Sequence, residues 1–194
     1  MAKRPDKSEK IIKAAFKLAA KNGWRGLTLS EIATASKVPL PELAQLFPTK
    51  SAILAAWSRG VDAEVLKLAE TEDLEDEEAR DRLFDVLMLR FDAMAPSKEA
   101  LKNIANDVVR DPVAALSLLA PAFQSLGWML EAAGIDSSGL RGALRVRGLT
   151  IIWMRVFNIW LQDGEDQAKT MAELDRRLRQ AENLLVAIAR YRTS

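Results

Sequence analysis

The chain has 194 residues, 49% of them hydrophobic and 28% charged, enough apolar material for one large core or two smaller ones. Its net charge of +1 excludes a global attraction to polyanions, so any nucleic-acid surface has to be local. Cysteine and histidine are both absent, which excludes disulfides, a thiolate nucleophile, an imidazole base and the usual zinc ligands.

Charge is unevenly placed. Residues 1–50 hold ten Lys or Arg against four Asp or Glu, whereas Glu70 to Asp81 holds eight acids and one base, Arg80. The N-terminal part is therefore the basic one. It runs into Lys-rich sequence without the apolar stretch of a signal peptide. The run from Leu149 to Leu161, read as the most apolar of the chain, is shorter than the roughly 20 residues a membrane span needs, and Arg155 interrupts it. The expectation is a soluble cytoplasmic protein with no transmembrane segment.

Helical spacing recurs along the chain, and no segment alternates as a half-buried strand would. Ile11, Ile12, Ala15, Phe16 and Ala19 form a first apolar stripe, which Asn22-Gly23 ends with a left-handed cap. Thr28-Leu29-Ser30-Glu31 reads as a capping box opening a helix that ends near Ser36-Lys37, with Leu29, Ile32 and Ala33 inward. A short helix spans Leu40 to Leu46, with Leu43 and either Leu46 or Phe47 facing the core. Thr49 caps a longer helix through Ile53, Leu54, Trp57, Val61 and Val65. The acidic stretch then reads as a solvated linker or helix edge. Beyond it, Leu83, Phe84, Leu87, Met88 and Phe91 mark another helix, and Ser97 starts the next. Asp111-Pro112 starts one that persists to Gly134. Ser137 or Ser138 opens a long helix ending at Asp163-Gly164, and Asp166 opens the last, which ends near Arg192. The fold class is all-α, with about nine helices.

The span Ile11 to Leu54 combines Gly23-Trp24, Thr28-Leu29, Ile32-Ala33, Lys37-Val38, Leu43, Phe47 and Lys50. This constellation resembles the DNA-binding domain of the TetR family. The resemblance implies a three-helix helix-turn-helix module, residues 1–48, ahead of a helical-bundle domain for ligand binding and dimerisation, residues 49–194. It implies that the Leu40–Leu46 helix enters the major groove of operator DNA. The candidate DNA-binding residues are then Thr28, Lys37, Leu40, Pro41, Glu42, Ala44, Gln45 and Lys50. Thr28 is equally explained as a cap and Lys50 as a first-turn charge, although a cation there opposes the helix dipole and favours phosphate contact.

The chain departs from the family pattern on that surface. Lys37 stands where the family usually has Gly, Pro39 where it has Ser, Pro41 and Glu42 where it has a small residue and Thr, and Ala44 where it has Tyr. A carboxylate near the phosphates is repelled, although Glu42 could accept from cytosine N4 and Gln45 could grip adenine. Phosphate contacts would come from Lys3, Arg4, Lys7, Lys37 and Lys50.

The last two helices are apolar on more than one face, which calls for burial on several sides. A homodimer interface meets that need, with Leu149, Ile152, Val156, Trp160, Leu174, Leu178, Ala181 and Leu185 as its candidate residues. TetR relatives pair through these two helices. Phe91, Phe123, Trp128, Met129, Trp153 and Phe157 are candidates for lining an apolar ligand pocket, with core packing as the competing reading. Arg155 and Asn158, three apart on one face, either bind Asp163 or a ligand head group, or face solvent or a dimer seam.

Residues 82–178 also carry Arg82-Leu83-Phe84-Asp85, Arg90-Phe91-Asp92, Arg110-Asp111-Pro112, Trp160 to Asp163 and Leu174 to Leu178. These are similar to the lipid-binding accessory protein family of coenzyme Q (ubiquinone) biosynthesis. That likeness implies, as the alternative, a TetR-fold protein that binds an isoprenoid lipid and has lost DNA binding. The membrane-contacting C-terminal helix of that family has no counterpart before Ser194. An enzyme reading has little support: there is no phosphate-cradling glycine loop, no carboxylate pair with an evident partner, and no implied cofactor or metal. Arg90-Phe91-Asp92 and Asp175-Arg176-Arg177 read as helix-surface ion pairs.

Overall fold

Side-chain caps set several of the helix starts in the computed structural model, which describes residues 6–71 and 78–191, without the side chains of 185, 186 and 188–191. The described elements are α1 (Lys7–Asn22), α2 (Leu29–Ser36), α3 (Leu40–Leu46), α4 (Lys50–Ala69), α5 (Ala79–Met94), a 3₁₀ turn (Ala95–Ser97), α6 (Lys98–Val108), α7 (Pro112–Ala132), α8 (Gly139–Trp160) and α9 (Ala168–Tyr191). No strand occurs among the described residues. The expected solvated linker at 72–77, Lys3 and Arg4, the Leu185 side chain and Arg192 lie outside what is described.

The capping box forms as expected: the Glu31 N–H donates to Thr28 Oγ1 (3.2 Å), and the Thr28 N–H and hydroxyl both donate to Glu31 Oε2 (2.8 Å each). Thr49 Oγ1 accepts from the Ala52 N–H at 3.1 Å. Asp111 Oδ1 accepts from the N–H groups of Val113 and Ala114 and so caps α7. Two expectations are corrected. Gly23 ends α1 with φ +81° but ψ 174°, which is not the left-handed helical conformation; Lys37 adopts that one, with φ 56° and ψ 34°. Pro96 puts Ala95–Ser97 into a 3₁₀ turn, so α6 begins at Lys98 and the Ser97 side chain caps nothing.

The chain forms two compact units, each discontinuous in sequence. One joins Met1–Val61 with Met94–Pro121, and the other joins Asp62–Ala93 with Ala122–Ser194. In the first unit, Ile11, Ala15, Ile32, Leu43 and Ile53 are fully or almost fully buried, and Phe16 stacks on Trp57 at 4.8 Å between ring centroids. Leu43 and Phe47 are the core residues of the α3 region, whereas Leu46 points outward.

The second unit has an aromatic centre. The Phe91 ring stacks on Trp153 (4.6 Å) and tilts against Trp160 (5.4 Å), while Phe157 lies beside both tryptophans. Arg90 is buried, which corrects the expectation of a surface ion pair. It donates to Asp62, lies 5.3 Å from the Trp153 ring, and Asp62 also accepts from Ser125 Oγ at 2.7 Å. Such a pair needs hydrogen bonds and a cation–π neighbour to offset desolvation. The expected surface pairs do occur on α9, where Arg176 and Arg177 grip Glu173 and Arg179 grips Asp175.

Among the described residues, α7 rather than the 149–161 run is the most apolar long stretch. Pro112–Ala132 is long and apolar enough to cross a membrane by length and composition, with mean hydropathy 1.5 in its most apolar window, 28% of which is buried.

Candidate nucleic-acid interface

The helix-turn-helix pair is built from α2 and α3. Buried Ile32 and Ala33 on α2, Val38 in the turn and Leu43 on α3 fix the two helices against each other. The turn reverses at Lys37, whose left-handed backbone conformation is costly for a residue carrying a Cβ. Its ammonium-bearing side chain is exposed.

With Leu43 buried, α3 turns its other side chains outward. Pro41, Ala44 and Gln45 are exposed, as are Leu40 (44%) and Leu46 (43%). Glu42 is half-buried because Lys7 of α1 reaches it, Nζ to Oε2 2.5 Å. The only anionic side chain on α3 therefore already has a cation beside it.

Thr28 and Lys50 are occupied locally. The Thr28 hydroxyl serves the capping box, and hydrogen bonds from the Thr28 backbone N–H and hydroxyl hold the Glu31 carboxyl below its ordinary pKa. Lys50 Nζ donates to the carbonyls of Trp24 (2.7 Å) and Arg25 (3.2 Å) and lies 5.3 Å from the Trp24 ring centroid. Burial lowers the pKa of that ammonium, against the opposing pull of Asp107, Asp111 and Glu31.

Two functional neighbours escaped the sequence reading. Asp107 Oδ2 accepts from the N–H groups of Trp24 and Arg25, both at 2.8 Å. Asn103 Nδ2, one helical turn earlier on α6, donates to the carbonyls of Ala19 (3.0 Å) and Ala20 (3.1 Å) at the end of α1. Lys50 and Asp107 thus hold the Trp24–Arg25 backbone through its carbonyls and its amides together. The only signal in the sequence is that α6 places polar Asn103 and Asp107 four apart, off the face formed by Ala100, Leu101 and Ile104. Beside this clamp lies an open cleft of about 510 Å³, whose walls include Trp24, Thr28, Lys50, Asp107, Val113 and Ser117.

The expected pocket residues separate in the second unit. Phe91 and Met129 are completely buried, Trp153, Phe157 and Phe123 are half-buried, and Trp128 is 48% exposed. Arg155 and Asn158 are exposed, and Asn158 Nδ2 donates to the Met154 carbonyl of its own helix. Asp163 instead accepts from the N–H and hydroxyl of Thr170 at 2.8 Å each.

The expected dimer residues also divide. Leu149, Val156, Trp160, Leu174 and Leu178 pack inside the unit itself, while Ile152 and Ala181 are half-buried. The exposed apolar face of α8 is a different stripe, Leu140, Leu144, Ile151 and Met154.

Comparison with known proteins points the same way as these helices. Residues 11–57 match the model for bacterial regulatory proteins of the tetR family. No curated protein matches the chain in sequence. A TetR transcriptional regulator from Nitrosomonas europaea superposes with a TM-score of 0.72 at 24% identity, over 92% of this chain and 99% of that one. A TetR transcriptional regulator from Rhodococcus sp. RHA1 gives 0.69 at 17% identity, covering 90% and 94%. Thermus thermophilus FadR, a TetR-family transcriptional repressor in complex with lauroyl-CoA, gives 0.61 at 21% identity, covering 89% and 91%. The fold is TetR-like, and the tetR-family match is confined to residues 11–57. These findings lend no support to the likeness of residues 82–178 to the coenzyme Q accessory family.

Proposed function

We propose that the protein is a cytoplasmic, homodimeric TetR-type transcriptional regulator that binds a palindromic operator through α2 and α3 and responds to an apolar small molecule. The observation that carries this reading is the packing of α3. A single buried anchor, Leu43, seats the helix on α2 while Pro41, Ala44 and Gln45 are left exposed, which is the arrangement a groove-entering helix requires. The family match over residues 11–57 supports it.

Dimerisation through the outer face of α8 is part of the proposal. Leu140, Leu144, Ile151 and Met154 lie along one side of that helix, with Arg147, Gly148 and Asn158 beside them, all exposed. Two recognition helices held by a two-fold axis would meet successive major grooves about 34 Å apart. The aromatic centre of the second unit supports an apolar effector, and a fold neighbour crystallised with lauroyl-CoA is consistent with a ligand carrying a long apolar tail. An effector that binds one spacing of the two helices better than the other would change operator affinity by that difference.

The test is a mobility-shift titration of the promoter region of its own gene at several salt concentrations. Salt-sensitive, sequence-selective binding is expected, and its absence would sink the regulator reading. Mass spectrometry of co-purified small molecules addresses the effector; an isoprenoid quinone precursor there would favour the lipid-binding alternative.

A further inference from the structure

An α-helix advances about 100° per residue, so the two positions nearest the pole opposite Leu43 are those two residues away on either side. These are Pro41 and Gln45. Ala44 and Glu42 flank that pole on opposite sides. Pro41 and Ala44 offer only hydrocarbon, which leaves Glu42 and Gln45 as the outward side chains able to hydrogen-bond a base edge. They are not equivalent. Glu42 is drawn toward α1 by Lys7, with Nζ 2.5 Å from its carboxylate. Gln45 is exposed, and its amide has no hydrogen-bond partner among the described residues.

Resting on the DNA-binding reading above, we propose that Gln45 is the base-reading residue of α3 and takes an adenine, with Pro41 and Ala44 against neighbouring thymine methyl groups. Glu42 reads no base, and Lys7 is the positioning residue that holds it aside. The chemistry is that of the major-groove edge. A glutamine amide presents one donor and one acceptor, which match adenine N7 and N6, whereas guanine offers only acceptors at the same place. Small apolar groups beside the amide suit thymine methyls and leave a G·C neighbour without a polar partner. An unpaired Glu42 carboxylate would face the phosphates and repel them; the Lys7 ammonium cancels that charge at short range.

Selection from a pool of random duplex DNA with the full-length protein tests this. The wild-type chain should enrich an adenine at one fixed position in each half-site. Gln45→Ala should flatten the preference at that position by roughly ten- to one-hundred-fold, and leave the other positions unmoved. Glu42→Ala should leave the whole base profile unchanged. Lys7→Ala should weaken all sequences alike, and the double variant Lys7→Ala/Glu42→Ala should recover most of the loss. These residues lie on exposed or half-exposed surface, so unchanged thermal unfolding of each variant keeps the readout specific to binding. A selected operator whose profile survives Gln45→Ala, or loses a cytosine with Glu42→Ala, overturns the assignment alone. Additive losses for Lys7 and Glu42 overturn the positioning role. A pool from which the wild-type chain selects nothing overturns the DNA-binding reading and the assignment together.

Discussion

Asp107 accepts hydrogen bonds from two consecutive backbone amides, Trp24 and Arg25, and those N–H groups are the main cause of its carboxyl lying below the ordinary pKa. Removing the carboxylate leaves two amides of the α1–α2 turn without that acceptor. Asp107→Ala is therefore expected to lower the unfolding free energy by about 2–3 kcal/mol, read from denaturant titration, because hydrogen bonds to a charged group sit at the strong end of the range. The pH dependence has a definite sign. A carboxyl depressed in the folded state contributes fully above its ordinary value of 3.8, and the contribution is lost as pH falls through the lower folded value. Asp107→Asn should thus flatten the acid limb of stability against pH, and an unchanged limb would assign the acid response to other carboxyls.

At the scale of elements, the turn between α2 and α3 and the start of α8 carry opposite steric problems. Lys37 holds a left-handed conformation that glycine adopts freely, so Lys37→Gly is expected to raise stability by about 0.5–1 kcal/mol, visible as a higher denaturation midpoint. Gly142 is the reverse case. A Cβ there would lie 2.0 Å from the Ser137 carbonyl carbon, which is backbone and cannot swing aside. Gly142→Ala should cost about 3 kcal/mol or more, measured in the same titration, and a neutral result would mean that the 137–142 segment relaxes. Legibility in the sequence follows the range of the interaction. The Thr28–Glu31 box and the inward Leu43 are local patterns and could be read directly. Asp107 meets Trp24 across 83 residues and Arg90 meets Asp62 across 28, and no periodicity encodes such pairings. Helix α8 shows a second limit. It is apolar on opposite sides, so spacing alone identified a buried helix without fixing its phase, and the inward residues Leu149, Val156 and Trp160 were expected at the dimer seam.

For the whole molecule, that phase decides which substitution would break the proposed dimer. Ile151 is 65% exposed on the outer stripe of α8, so a charge there leaves the core of its own unit untouched. Ile151→Glu is expected to yield a folded monomer by sedimentation velocity, with operator affinity reduced at least tenfold because the two half-sites are no longer bound together. A dimer that survives this change would move the interface elsewhere. The first compact unit, meanwhile, is discontinuous in the chain: residues up to Val61 share it with Met94–Pro121. A ribosome that has released only α1 to α4 has delivered the helix-turn-helix without Asn103 and Asp107, so the carbonyls of Ala19 and Ala20 and the amides of Trp24 and Arg25 still lack those partners. Synthesis has to run on through α6 before those four hydrogen bonds can form. The chain thus acquires its second unit's first helix before its first unit is complete, and a truncation after α4 yields a fragment missing part of its own scaffold.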